Sequence, residues 1–423
     1  MRIITLSKEE FDQYSLNHKY ASYCQTSNYA NLKAELEGYD IHYLGFKDNG
    51  VIVGASMLVY KEIMWGYKYA YAPRGFLIDY SDLSLCRQLT EALKRLLKKQ
   101  KFIFIKIDPP IIYRKYDSLG DNEVDSESSK EILRNFKKNS YEHMGFNLYN
   151  ENMLPRFSSY AKLDTNPQTL FMSFSKERQE EITLDQKKAL SVIPDSKNDI
   201  NFFLEITNRI IKGKNVKFIK TLFNVFDETD NAQIFYTFLD TQKYTENINK
   251  LYNAETEKNN SLANIISESD ARKYNMQLVI NDKIESDKKL AELKSNLNIS
   301  MNLIRNNPEG LIIGAALVIT SGKGATIISN YVVPEHKNLN ALPLTTYEIM
   351  KYYGKKGYSY IDLGTVPGNF NKASKYFGAI KNKSGYNSSI IEYVGELDLV
   401  INPLIYSFYK RKLASGKIKL KDY

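Results

Sequence analysis

Two distant segments of the chain share one pattern. Residues 49–60 read NGVIVGASMLVY, and residues 309–320 read EGLIIGAALVIT. Each copy has a glycine, three apolar residues, a Gly-Ala pair and a second apolar run. This pattern indicates a turn that leads into a buried strand, with small residues where another backbone comes close.

The predicted elements that follow the two segments also correspond. Each copy continues with a second strand, an amphipathic helix and a third strand. These elements are predicted at 67–78, 82–99 and 102–108 in the first copy, and at 325–332, 342–353 and 358–363 in the second. The repeated order predicts a duplicated mixed-sheet unit, and therefore an α/β protein of two lobes. A length of 423 residues agrees with two domains.

The stretch from 244 to 307 has a different composition. It is rich in Lys, Glu, Asn and Ser, and contains no proline. Its second half spaces apolar residues close to a three-four pattern, at Ile284, Leu290, Leu293, Leu297, Met301 and Leu303. This spacing predicts an antiparallel helical hairpin inserted in the second lobe. A solvated insert without a function is the alternative interpretation.

Composition limits the cellular setting and the chemistry. The two cysteines, Cys24 and Cys86, lie in no metal-ligand or disulfide pattern, and no apolar run approaches the ~20 residues that cross a bilayer. We therefore expect a cytoplasmic protein without a metal or redox cofactor. The net charge of +9 and the pI of about 9.0 favour anionic partners. The sequence ends in KRKLASGKIKLKDY, which is either a solvated helix end or a weak contact with anionic lipid or RNA.

Five segments in order resemble one known family, the FemABX family of aminoacyl-tRNA-dependent peptidyltransferases that build peptidoglycan cross-bridges. They are YCQTSNYANLKAELEGYDIHYLGFKDNG, YAYAPRGFLIDY, FIFIKIDPPIIY, YSYIDLGTVPGNF and SGYNSSIIEYVGEL. The resemblance spans essentially the whole chain. It implies two tandem acetyltransferase-like lobes, the first formed by 1–165 with 380–423 and the second by 166–243 with 308–379. The helical arm then occupies 244–307.

The resemblance also implies a reaction. An amino acid would pass from aminoacyl-tRNA, the co-substrate, to the stem peptide of lipid II or of UDP-MurNAc-pentapeptide. The protein would then work at the inner face of the membrane, as a homo- or hetero-oligomer of the family type. Because an aminoacyl ester is already activated, positioning can supply much of the rate.

Two residues are candidates for catalysis. Asp108 ends an apolar strand before Pro109-Pro110, and the resemblance places a catalytic aspartate there, although an Asp-Pro turn that satisfies backbone amides is the alternative. Lys383 matches a lysine that holds the tRNA end or the reacting carbonyl. Asn382 replaces the aromatic residue that usually precedes this lysine, so Lys381 is a rival, and a solvated lysine remains the simpler interpretation.

Four further residues are candidates for substrate binding. Lys33 matches a lysine that contacts the phosphates of the precursor, and Arg74 belongs to the Arg-Gly pair of the second segment. Lys214 and Phe218 stand where the family usually has Arg and Tyr. Lysine lacks the planar fork of arginine, and phenylalanine lacks a hydroxyl group, so these changes affect how the precursor would be held.

These departures keep two other functions open. One is a non-catalytic paralogue that binds the precursor or a partner. The other is an acetyltransferase that uses acyl-CoA, which requires a glycine-rich turn opening a helix to hold the pyrophosphate. The sequence contains no such segment.

Overall fold

The computed structural model describes residues 1–149, 151–267 and 275–416. The strands are β1 (Arg2–Thr5), β2 (Asp40–Asp48), β3 (Val51–Met64), β4 (Tyr67–Ala72), β5 (Phe102–Ile107), β6 (Ile112–Tyr116), β7 (Glu123–Asp125), β8 (Tyr141–His143), β9 (Phe157–Lys162), β10 (Leu190–Pro194), β11 (Ala232–Leu239), β12 (Leu311–Ser321), β13 (Gly324–Val332), β14 (Tyr360–Thr365), β15 (Ser388–Tyr393) and β16 (Leu397–Val400). The α-helices are α1 (Lys8–Asn17), α2 (Ser27–Glu37), α3 (Leu83–Lys99), α4 (Glu127–Lys138), α5 (Pro167–Met172), α6 (Lys176–Lys187), α7 (Ile200–Ile206), α8 (Lys214–Asp227), α9 (Thr241–Ser267), α10 (Met276–Asn306), α11 (Leu342–Lys355), α12 (Phe377–Lys383) and α13 (Pro403–Ala414). A short 3₁₀ helix spans Pro334–Leu339.

The first sheet has the order β1-β2-β3-β4-β5-β16-β8. Strands β2, β3 and β4 are antiparallel neighbours, and α3 then crosses over so that β5 lies parallel to β4. Helix α3 begins at the N-cap Asp82, whose side chain accepts from the backbone amide of Leu85. Its Leu89, Leu93 and Leu97 are buried against the sheet because a three-four spacing places them on one face.

The second sheet repeats this unit within the order β10-β11-β12-β13-β14-β9-β15-β6-β7. Strands β11, β12 and β13 are antiparallel, and α11 crosses over to β14, which lies parallel to β13. The two echoed segments form β3 and β12, at equivalent places in the two units. A β-carbon at Gly314 of β12 would lie 2.8 Å from the carbonyl oxygen of Tyr331, which explains the small residue. The predicted duplication of a mixed-sheet unit is confirmed.

The predicted lobe boundaries do not follow the two sheets. Strands β6, β7 and β9 lie within 1–165, and β15 lies within 380–423, yet all four belong to the second sheet. Strand β9 pairs with β14 on one side and β15 on the other. The apolar pattern of a strand determines which face is buried, but it does not determine which strand becomes its neighbour.

One apolar core joins the two lobes. Helices α2 and α8 pack against each other, and Tyr29 and Phe223 from these helices share a core with Val59 of the first sheet and Leu317 of the second. The lobes are therefore held together by a continuous buried core.

Helices α9 and α10 pack along each other as two antiparallel legs. The Thr245 hydroxyl donates to the Ser300 carbonyl at 3.2 Å, and Asn259 Nδ2 donates to Asp287 Oδ1 at 2.8 Å. The connection at 268–274 lies outside the described residues. Among the described helices, none combines the length and the apolar character that crossing a bilayer requires.

Candidate active site

A cavity of about 550 Å³ lies between the two lobes. The first lobe contributes the segment from Lys19 to Cys24, Arg74 and Pro110. The second sheet contributes residues from β9, β13, β14 and β15, and α8 contributes Phe218 and Leu222. The cavity is therefore a cleft with walls from both halves of the chain, where binding sites are commonly found.

Alternation along β14 builds part of the cavity floor. Tyr360, Asp362 and Gly364 line the cavity, whereas Ile361 and Leu363 are buried in the core on the other face of the sheet. Successive side chains of a strand point to opposite faces, so the polar residues meet the cavity together.

The floor is open because β13 and β14 separate. These parallel strands pair only where Gly324–Thr326 lies opposite Tyr360–Asp362. In the first sheet the equivalent pair, β4 and β5, stays paired from Lys68 to Ala72. Beyond Thr326, Ile327 and Ile328 line the cavity. The second sheet therefore has a gap between β13 and β14, whereas the equivalent strands of the first sheet stay paired.

Asp362 is a carboxylate on this floor. Its Oδ1 accepts from the Ser158 hydroxyl at 2.6 Å and from the Gly364 backbone amide at 2.8 Å. Burial raises the pKa of Asp362, and these two hydrogen bonds oppose the rise. The group is surrounded by protein but still lines the cavity, so it can meet a bound ligand.

Lys383 lies beside Asp362, at the end of α12. Its ammonium donates to the carbonyl of Thr365, and a β-carbon at Gly364 would lie 3.4 Å from its Nζ. Burial lowers the pKa of Lys383, and the neighbouring Asp362 opposes this. Lys381 is exposed instead, with its Nζ 3.7 Å from Glu177. Of the two rival lysines, Lys383 is the one next to the cavity floor.

Arg74 forms part of the opposite wall and is fixed from several directions. Its guanidinium donates to the Pro155 carbonyl at 2.6 Å and lies 4.6 Å from the centre of the Tyr393 ring. Its φ of 49° is in the left-handed region, which non-glycine residues adopt only when their surroundings hold them there. The backbone amide of Arg74 donates to Asp108 Oδ1 at 2.7 Å.

Asp108 lies behind Arg74 and is 2% exposed. Its second oxygen accepts from the Tyr71 hydroxyl at 2.9 Å, and the Arg74 guanidinium lies 4.0 Å away. Burial raises the pKa of Asp108 to about 7, although Arg74 and Tyr71 oppose the rise. Asp108 is not among the residues that line the cavity within the described ranges. The structure therefore brings Asp108 to Arg74 but not to the cavity surface.

The remaining predicted residues lie at different depths. Phe218 of α8 is half-buried and lines the cavity, and Lys214, one helical turn earlier, is exposed at the start of the same helix. Lys33 is buried on α2, where its ammonium pairs with Glu37 and lies 5.3 Å from the centre of the Tyr39 ring. The structure thus brings Arg74 and Phe218 to one cavity with Lys383 beside its floor, and Lys33 lies outside the lining.

Sequence reasoning did not select Asp362, Tyr160 or Tyr393. Tyr160 lies directly opposite Asp362 in the β9–β14 pairing, and the Tyr393 hydroxyl donates to that of Tyr160 at 2.9 Å. A signal was present, because Tyr360 and Asp362 alternate with the buried apolar residues Ile361 and Leu363 in the same strand. The pairing with β9 could not be seen, since it joins residues about 200 positions apart.

The described residues contain no group of three or more His, Cys, Asp or Glu side chains placed to hold a metal ion. The absence of a metal cofactor stays a prediction. Among the described residues, the charged side chains at the cavity are the Asp362 carboxylate, the Arg74 guanidinium and the Lys19 ammonium in its lining, with the Lys383 ammonium beside its floor.

Sequence comparison finds relatives that match along nearly the whole chain. The lipid II:glycine glycyltransferase of Staphylococcus epidermidis is 24% identical over 433 residues, covering 99% of this chain and 98% of that protein. The lipid II:glycine glycyltransferases of Staphylococcus haemolyticus and Staphylococcus aureus are also 24% identical, with the same coverage.

A solved structure has the same fold. The crystal structure of FemX matches with a TM-score of 0.72 at 20% identity, covering 96% of this chain and 99% of that one. This match confirms the predicted α/β fold class, whereas the inserted helical hairpin at 244–307 stays a prediction. The model of the FemAB family matches residues 6–412. The chain therefore belongs to the FemAB family.

Proposed function

We propose that this protein transfers an amino acid from aminoacyl-tRNA to an amine of the peptidoglycan precursor lipid II, in the synthesis of an interpeptide bridge. Its membership of the FemAB family supports an acyl transfer of this kind. The names of its relatives make lipid II the first acceptor to test and glycine the first amino acid. The observation that carries the proposal is a carboxylate, Asp362, on the floor of an inter-lobe cavity beside an ammonium, Lys383.

The reaction needs one bond to form and one to break. The acceptor amine attacks the ester carbonyl carbon, a C–N bond forms, and the C–O bond to the ribose breaks. The amine loses a proton, and the departing ribose hydroxyl gains one. A base at the amine, a cation at the carbonyl oxygen and fixed positions for both substrates are therefore sufficient.

We assign the base to Asp362. It lines the cavity, and burial raises its pKa, so its carboxylate is a better proton acceptor than an exposed aspartate. Ser158 and the Gly364 amide both donate to Oδ1 and so hold the carboxylate in place. As the pH falls through its raised pKa, Asp362 becomes protonated, and the transfer rate should fall with it.

We assign the stabilisation of the developing negative charge to Lys383. Its ammonium lies beside Gly364 on the cavity floor and already donates to the Thr365 carbonyl, so it can be directed at an oxygen bound above that floor. Arg74, a cation in the cavity lining, would bind a phosphate or carboxylate of a substrate. In this assignment Asp108 is a positioning residue that holds the backbone of Arg74.

Lys214 and Lys33, the two lysines predicted to bind the substrate, have different environments. Lys214 is exposed one turn from Phe218, so its ammonium could reach precursor phosphates while Phe218 packs against the apolar part of the ligand. The charge of Lys33 is already matched by Glu37, so a phosphate contact there would compete with that ion pair.

The test is transfer of radiolabelled amino acids from a pool of charged host tRNAs to purified lipid II. We expect label in the precursor, lost when the tRNA is digested with ribonuclease beforehand. Acetyl-CoA should not replace the charged tRNA, since residues 333–341 between β13 and α11 contain no glycine to hold a pyrophosphate. Absence of label from a folded protein that still binds lipid II would instead favour a non-catalytic, precursor-binding paralogue.

A further inference from the structure

The one tryptophan of the chain is exposed. Trp65 lies in the turn between β3 and β4, and 62% of it is accessible to solvent. Its neighbour is Phe408 of α13, with ring centres 6.2 Å apart, and 50% of Phe408 is exposed. Tryptophan is usually largely buried, so an exposed one beside an exposed phenylalanine needs an explanation.

Helix α13 carries large apolar residues on its outer, exposed face as well as on its inner face. Its inner face is fixed by Tyr406 and Tyr409, which pack against Phe104 with ring centres 5.3 and 4.8 Å away. Leu404, which is 78% exposed, and Phe408, four residues later, lie on the outer face. The inner face accounts for docking of the helix onto the first lobe, and it leaves the outer apolar residues without a role.

Cations lie beside two of these apolar side chains. The Lys412 ammonium lies 4.8 Å from the centre of the Trp65 ring, and the Arg411 guanidinium lies 6.0 Å from that of Phe408. Lys410 also projects from α13, where it pairs with Glu142. The sequence continues beyond the described residues as KIKLKDY, which adds three lysines and one aspartate.

We propose that Trp65, Leu404, Phe408, Arg411 and Lys412, here called the Trp65–α13 surface, bind the surface of a membrane containing anionic lipid. Tryptophan and phenylalanine partition into the boundary between headgroups and acyl chains, and an exposed leucine gains by leaving water. Lysine and arginine at the same level attract anionic headgroups.

The same residues fit other partners less well. A single-stranded RNA would stack on Trp65 and pair with Arg411 and Lys412, but it would give Leu404 no favourable environment. Leu404 is the most exposed of the large apolar residues in the described part of the chain, and it lies at the end of α13 nearest to its N-terminus. The mixture of apolar tips and cations therefore favours a lipid surface.

The test uses the full-length protein and Trp65 as its own probe. Because the chain has one tryptophan, emission excited at long wavelength reports this surface alone. Vesicles of phosphatidylcholine mixed with phosphatidylglycerol should shift the emission to shorter wavelength, and acyl chains carrying bromine should quench it. Vesicles of phosphatidylcholine alone should do so far less, because the electrostatic contribution is missing.

Two substitutions test the surface, each with a matched control elsewhere. Leu404→Ser should weaken vesicle binding in sedimentation roughly tenfold, whereas Leu278→Ser, at a leucine 58% exposed on α10, should not change it. Arg411→Ser should weaken binding roughly fivefold, whereas Arg87→Ser, at an exposed arginine of α3, should not change it.

Several results would overturn the proposal. They are vesicle binding that leaves Trp65 emission unchanged, binding equally sensitive to both leucine substitutions, and a shift caused by tRNA but not by vesicles. The last result would assign the surface to RNA. The outcome is separate from that of the proposed reaction, because vesicle binding is measured without either substrate.

Discussion

The Asp108→Asn substitution tests whether the buried Asp108 carboxyl group holds its proton more tightly in the folded protein than in the unfolded chain. An asparagine can preserve both contacts: its amide oxygen accepts from the Arg74 amide, and its NH₂ group donates to the Tyr71 hydroxyl. What the substitution removes is a buried group that can carry charge. The fold should therefore be kept, while the dependence of stability on pH should change.

The magnitude follows from the pKa of Asp108. Burial raises it from the ordinary 3.8 to about 7, so the folded state holds this proton more tightly than the unfolded state. Wild-type stability should therefore fall as the pH rises between these values. They differ by about three, and each unit corresponds to about 1.4 kcal/mol, so the loss approaches about 4 kcal/mol. Asp108→Asn lacks this loss, and its stability relative to wild type should rise by about half of that amount, roughly 2 kcal/mol, between pH 5 and pH 7.

Urea unfolding, followed by circular dichroism at several pH values, measures this difference. The comparison requires that the free energy of unfolding has the same slope against urea concentration in both proteins. Asp79→Asn is the control of opposite sign. Lys19 and Ser81 lower the pKa of Asp79 from 3.8 to about 2, so wild type loses that stabilisation as the pH falls from about 4 to about 2, below the range in which Asp108 titrates. A difference in the free energy of unfolding between Asp108→Asn and wild type that stays constant from pH 5 to pH 7 would refute the reasoning. Asp108 would then be an ion stabilised fully by Arg74.

Two further substitutions test the cavity floor and a buried ion pair in the first sheet. Lys383→Met should lower kcat for transfer about 10²–10³-fold, whereas Lys381→Met should leave it near wild type, in the same assay with lipid II. Lys106 is 1% exposed and lies 3.1 Å from Glu396 and 2.8 Å from Asp398. Lys106→Met leaves both carboxylates buried without their cation, so urea unfolding should show a loss of roughly 3–5 kcal/mol; a loss below about 1 kcal/mol would contradict this.

Local patterns predicted the elements of the two repeated units well. Helix α3 was expected at 82–99 and spans Leu83–Lys99, and α11 was expected at 342–353 and spans Leu342–Lys355. The second strand was expected to run to Ile78, but β4 ends at Ala72. Pro73 has no amide hydrogen to donate to the sheet, and Arg74 adopts a positive φ, so the chain turns there. That turn is what places Arg74 in the cavity wall.

The site was predicted less completely, because its geometry depends on long-range pairing. The sequence selected Arg74 and Phe218, which line one cavity, and Lys383, which lies beside its floor. It selected Asp108 from its position at the end of a strand, although the strand end alone does not tell whether a side chain faces a cavity or a backbone amide. The sequence did not indicate Asp362, because its contact with Ser158 depends on the pairing of β14 with β9.

The most direct test of the proposed reaction is the transfer rate of Asp362→Asn. The asparagine oxygen can still accept from Ser158 and from the Gly364 amide, so the cavity floor should keep its shape. Asp185→Asn is the matched control, since Asp185 is 1% exposed and burial raises its pKa to about 6, but it lies outside the cavity lining.

Both variants should be assayed with charged tRNA and lipid II beside the wild type. A fall in kcat of at least ~10²-fold for Asp362→Asn, with unchanged lipid II binding and normal transfer by Asp185→Asn, is the predicted result. Transfer by Asp362→Asn within about threefold of wild type would contradict the assignment of Asp362 as the base.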